Sequence, residues 1–297
     1  VVSELIGASY RFRLHTGREG GHPSCVLGLF GKPFIDLSPL LPSEPLAELH
    51  EEICLGLAQV PLDYTGGSHR SMGIMPAARS EEAIADYGEV IRAMTAAEFE
   101  TFRSLAERPE SIAPQAQFES SFGEERAIPL SRRQMMWLQI RFGVYFPWKG
   151  YVELIPNRSW EGKADPNGKR FTRLALSFFP KTVQFVKSLP FEHIGRCNIM
   201  GVFGNDYGTV HRDGDPAEQE APDEFITFCP NGDKRLFLYD AERALELPID
   251  SRFYWFNDFD YHGVERAPHF RYSVRVDGVF TAEFRERIMK QVEQVTS

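Results

Sequence analysis

Two short stretches carry the side chains best suited to chemistry. One is His211-Arg212-Asp213; the other runs from Tyr254 to Val276 and holds His262, Arg271, Ser273 and Arg275. Both read as strands, and residues two apart on a strand share a face. His211 and Asp213 would then ligate one ion together, with Arg212 turned away, and His262 would add a second imidazole from a distant strand. Two imidazoles and one carboxylate on one side of a metal leave positions open, an arrangement suited to non-haem iron(II). In a chain with eight histidines an H-x-D pair alone carries little weight. Its weight comes from the third histidine and from the arginine strand behind it. His193 and His269 lack that context and read as ordinary core or surface imidazoles.

The arginine strand is an independent clue. Alternation sets Arg271, Ser273 and Arg275 on one face and Tyr272, Val274 and Val276 on the other. Two guanidinium groups inside a barrel require anionic partners, because an unpaired buried charge is costly. An internal Asp or Glu would answer one of them. A ligand carboxylate in a two-pronged contact would answer the other, with Ser273 adding a hydroxyl. Asn198 alternates with Arg196 and Met200 on a preceding strand and is a further candidate to hydrogen-bond a ligand, with structural polar pairing as the alternative. Tyr239, Trp255 and Phe256 read as core, while Asn257 and Asp258 are placed to orient the loop before His262.

The pattern His211-x-Asp213, then His262, then Arg271-Tyr-Ser273 resembles the iron(II)/2-oxoglutarate-dependent oxygenase superfamily, over roughly residues 190–282. The resemblance implies a double-stranded β-helix core, His211, Asp213 and His262 as iron ligands, and Arg271 with Ser273 as the anchor for the far carboxylate of 2-oxoglutarate. Arg275 departs from the pattern. It either takes over the anchor or faces the substrate, and the spacing and adjacent serine favour Arg271. The implied chemistry is oxidation of a C–H bond by O2, coupled to decarboxylation of 2-oxoglutarate to succinate. Asp213 keeps the carboxylate that halogenating relatives replace with a small residue, so hydroxylation or a related oxidation is expected. The expected substrate is a small molecule such as an amino acid or natural-product intermediate; a peptide or protein side chain is the variant. Competing readings are a cupin-like metal protein that uses no 2-oxoglutarate, and a binding module with a structural metal.

The elements that must position these residues are legible in outline. Short β-rich runs separated by turns fill the second half: Gly195–Val202, Thr209–Asp213, Phe225–Phe228, Arg235–Tyr239, Phe253–Phe256, Gly263–Val264 and Arg271–Phe280. Trp137–Tyr145 and Tyr151–Ile155 also read as strands. Helical spacing predicts a helix near Glu44–Ala58, a stripe of Ile84, Tyr87, Ile91 and Met94, and helices over Lys181–Leu189 and Ala282–Val295. Thr95-Ala-Ala-Glu98 is a capping-box pattern. The fold class is therefore α+β and β-rich, a jelly-roll-type core of residues 131–297 with a mixed helical region, 1–130, packed against it. His69 and Arg70 lie in a Gly-rich loop that reads as a connection, with a lid as the alternative.

Composition narrows the function classes. A net charge of −9 argues against a broad phosphate-binding surface, so no nucleic-acid partner is expected. No apolar stretch is long enough to span a bilayer. The four scattered cysteines, with no CxxC pair, point to a reduced, cytoplasmic setting. The oligomeric state is not legible.

Overall fold

The computed structural model describes residues 25–62, 87–119, 122, 128, 130–146, 150–156, 162–214 and 219–294; His69, Arg70 and Ile84 lie outside them. After strand β1 (Phe34–Asp36), helix α1 (Leu46–Gln59) buries Leu46, Leu49, Ile53 and Leu57 on one stripe. Helix α2 (Tyr87–Arg92) leads into α3 (Ala96–Ser104), which opens on the Thr95 capping box: the Thr95 side chain accepts from the Glu98 amide, and the Glu98 carboxylate accepts from the Thr95 amide. A short helix, α4 (Ala116–Glu119), follows, and then α5 (Arg132–Phe142).

Helix α5 corrects the expectation of a strand over Trp137–Tyr145. Aromatic and branched residues favour strands, but the ends of this segment are set by helix chemistry. Ser131 and Gln134 form a second capping box, and Gly143 at φ +70° closes the last turn in the left-handed region where glycine is at ease. Met135 and Leu138 pack with Phe99, Phe102, Phe122 and Phe146 in a cluster of their own.

The rest of the chain is two antiparallel sheets and three helices. Strand β2 (Gly150–Ile155) is followed by α6 (Arg173–Phe178), α7 (Pro180–Ser188) and β3 (Phe191–Val202). Then come β4 (Gly208–His211), β5 (Phe225–Phe228), β6 (Leu236–Asp240), β7 (Leu245–Pro248), β8 (Phe253–Phe256), β9 (His262–Val264) and β10 (Arg271–Phe280), and helix α8 (Ala282–Gln294) ends the described chain. The larger sheet runs β1-β8-β5-β10-β3-β2, and the smaller β4-β9-β6-β7. From β3 onward the chain steps repeatedly between the two sheets. Among the described residues no helix is long and apolar enough to cross a membrane.

Strand β10 shows why two layers are needed. Its eight residues from Arg271 to Gly278 are all buried, on both faces. Tyr272, Val274 and Val276 join the main core with Ile53, Val183, Val186 and Phe284 from the helices. The Tyr272 hydroxyl meets His50 Nδ1 at 2.8 Å, tying α1 to the sheet. The opposite face carries Arg271, Ser273 and Arg275, which lie outside that apolar cluster. Ile199 of β3, opposite Val274, is completely buried in the core. Ile199→Ala is expected to cost about 2–5 kcal/mol in urea denaturation, from lost transfer energy and the cavity left behind.

Candidate metal centre

His211 and His262 stand directly opposite each other on the paired strands β4 and β9. Gly263 permits the close approach of these strands: a Cβ there would meet the Gly208 carbonyl oxygen at 3.0 Å and the Phe237 ring at 2.8 Å. The two imidazole centroids are 4.5 Å apart. Each ring is fixed by its Nδ1–H, which donates to the Thr209 carbonyl from His211 (2.8 Å) and to the Asp260 carbonyl from His262 (3.0 Å). A carbonyl cannot donate, so Nδ1 carries a proton in both rings and Nε2 is the atom turned toward the site.

Both Nε2 atoms face one oxygen. Asp213 Oδ1 lies 3.4 Å from that of His211 and 3.7 Å from that of His262. Asp213 is not on the strand, as the H-x-D reading expected; β4 ends at His211. The backbone then bends, and the Asp258 carbonyl accepts from the Asp213 amide at 2.9 Å and from the Gly214 amide at 3.2 Å. The loop before His262 thus positions the carboxylate, while the Asp260 carboxylate is engaged by the amides of Leu27 and Gly28. The ligating atoms of His211, Asp213 and His262 lie within 4.8 Å of one another, and all three residues are buried. This buried group can bind a metal ion.

Its protonation suits that role. Burial, with His211 close by, pushes His262 down to about 3, so the ring stays neutral. Burial alone would raise Asp213, but Arg275 and the two imidazoles outweigh it and hold the carboxyl well below its usual range. A neutral His262 and an ionised Asp213 are in the forms a metal ligand needs.

The two arginines of β10 sit differently. Arg275 Nη1 donates to Asp213 Oδ2 at 2.5 Å and its Nε to Asp277 Oδ1 at 2.9 Å, with the guanidinium 3.8 Å over the Phe225 ring. Arg271 donates to the backbone carbonyls of Ala267, His269, Asp206 and Glu265. Between them Ser273 faces Met200, and Arg275 faces Asn198, in the β10–β3 register. The Ser273 hydroxyl, both polar atoms of the Asn198 side chain, Arg271 Nε and Arg275 Nη2 are buried and meet no hydrogen-bond partner. Each such atom costs about 1–3 kcal/mol if left unanswered.

Lys234 belongs to no motif in the sequence. It follows the Pro230-Asn-Gly-Asp233 turn and is buried, with its ammonium donating to the Met200 carbonyl at 2.7 Å. Burial, reinforced by the neighbouring Arg271 cation, pushes it down to about 7. A lone lysine after a turn normally reads as solvated, so only the paired strands reveal it. Of the remaining expectations, Tyr239 packs with Val210, Phe237 and Tyr261, and Arg212 lies over the Tyr261 ring at 5.7 Å. Trp255 is core, and Phe256 is 4.8 Å from His262, ring to ring. Half-exposed His269 pairs with Asp233. No family model and no curated protein matches the chain.

Proposed function

We propose that the chain is an iron(II)/2-oxoglutarate-dependent oxygenase that hydroxylates a C–H bond of a small molecule, an amino acid or natural-product intermediate being the expected class. The supporting observation is a juxtaposition. A buried His–Asp–His group is joined through Arg275, which bonds Asp213 and pairs with Asn198 in the strand register, to unanswered polar atoms on Asn198 and Ser273, and Lys234 and Arg271 stand beside that row. An extended diacid carrying its own acceptors would answer those donors and the two cations together. In the strand order we read a jelly roll, with β8-β5-β10-β3 facing β4-β9-β6-β7.

When bound, ferrous ion and keto acid supply the activation of dioxygen for C–H oxidation. The chain's share is positional. His211, Asp213 and His262 hold the ion from one side, each imidazole locked by a backbone carbonyl. Asn198 and Ser273 offer hydrogen bonds along the co-substrate. Lys234 and Arg271 offer positive charge to its far carboxylate. Apolar walls such as Phe225 and Phe256 exclude water.

Anaerobic addition of iron(II) and then 2-oxoglutarate is expected to give a weak visible charge-transfer band, and admission of O2 with a substrate to give succinate. A chain that binds iron but neither shows the band nor consumes 2-oxoglutarate would be a cupin-like metal protein instead.

A further inference from the structure

The two oxygens of Asp213 do different work. Oδ1 faces both histidine Nε2 atoms, whereas Oδ2 takes the short hydrogen bond from Arg275 Nη1 at 2.5 Å. Arg275 in turn is fixed from behind. Its Nε is held by Asp277 Oδ1 at 2.9 Å, and the other Asp277 oxygen is held by Arg196 Nε at 2.8 Å. Phe225 covers the guanidinium face. Arg196, Asp277, Arg275 and Asp213 thus form a buried chain of alternating charge, from β3 through β10 to the loop after β4.

We infer that Arg275 is a positioning residue that holds Asp213 to single-oxygen ligation and so keeps one more metal position open. The inference rests on the metal reading above. A carboxylate free on both oxygens can chelate a cation, and chelation would fill a position that co-substrate or oxygen requires. A charge-assisted bond to Oδ2 opposes that rotation, and the planar fork of arginine serves Asp213 and Asp277 together, which a lysine point charge does less well. No bond is made or broken; the effect is on coordination alone.

The test uses Mn(II) as a stand-in cation on the full chain, counting its exchangeable waters from line broadening by 17O-water in electron paramagnetic resonance. Arg275→Gln is expected to show one fewer exchangeable water than wild type, with Mn(II) affinity within about tenfold, whereas loss of a merely supporting partner would lower affinity about 10–100-fold and leave the count unchanged. Arg275→Lys is expected to restore the wild-type count. An unchanged count in a folded Arg275→Gln protein overturns the inference. Should that variant fail to fold, infrared difference spectra of wild type labelled with 13C-aspartate, with and without Mn(II), decide the matter. The carboxylate stretch splitting of single-oxygen ligation supports the inference, and that of a chelating carboxylate overturns it. Failure of wild type to bind Mn(II) would overturn the metal reading as well, so the two failures are distinguishable.

Discussion

Asp213→Ala is expected to abolish metal binding and to destabilise the chain, whereas His262→Ala should abolish metal binding with a much smaller stability loss. The shared effect follows from the donor set. Oδ1 of Asp213 and the two Nε2 atoms are the donors that could hold an ion, and the loss of one should exceed the about 10–100-fold that loss of a mere outer partner costs. The unshared effect follows from charge. Removing Asp213 takes away one of the carboxylates that hold the buried Arg275 guanidinium, and breaking a buried ion pair from one side costs about 3–5 kcal/mol. His262 is neutral in the folded chain, so its removal strands no charge. Isothermal titration with Co(II) and urea denaturation at neutral pH separate the two outcomes. The pH dependence has a definite sign. Because the Asp213 carboxyl is held below its unfolded value, its stabilisation is present above about pH 4 and fades as the pH falls further, through its folded value. Asp213→Ala should lack that contribution. Tight Co(II) binding by both variants would mean that the ion is held elsewhere.

What the sequence disclosed and what it hid divide along one line. Periodicity reports which face of a strand a residue occupies, and Phe225–Phe228, Phe253–Phe256 and Arg271–Phe280 have the expected boundaries. The two faces of β10 follow from the same alternation. Periodicity does not report which face of another sheet lies opposite. So Arg271 and Arg275 look equivalent in sequence, yet one is wrapped in carbonyls of the neighbouring loops and the other is bound to a carboxylate sixty-two positions earlier. Strand β7 escaped because it is a mostly exposed edge built from Leu-Glu-Leu-Pro, with little burial to impose alternation. Helix α6 escaped because its six residues are too few to display a helical stripe. The α5 segment looks like a strand by residue preference, although its Ser131-x-x-Gln134 box and Gly143 stop are both present in the sequence. Local end signals there outrank residue preference.

Lys234→Met should make the chain more stable near neutral pH and, on the proposed function, weaken its binding of 2-oxoglutarate. The folded chain gives up the Lys234 proton at about 7, whereas an unfolded lysine keeps it to about 10.4. Between those values the unfolded chain binds the extra proton, so this group makes stability rise with pH, by at most about 1.4 kcal/mol per pH unit. Below about 7 the folded chain must carry a charged ammonium in its interior beside Arg271. Methionine fills similar volume without charge, so denaturation midpoints at pH 7, 8 and 9 should show a higher starting stability and a flatter slope. A bound anion would offset the cost of the charged form. A bound carboxylate favours the protonated form, so 2-oxoglutarate affinity should be greatest below pH 7 and fall up to about tenfold per pH unit above it. Losing one partner of a buried charged pair costs about 2 kcal/mol or more, so the variant should bind the keto acid at least about 30-fold more weakly and lose most of this pH dependence. Binding that is independent of pH and unchanged in Lys234→Met would place the far carboxylate on Arg271 alone. The backbone carbonyls around that guanidinium would then have to yield when the co-substrate enters.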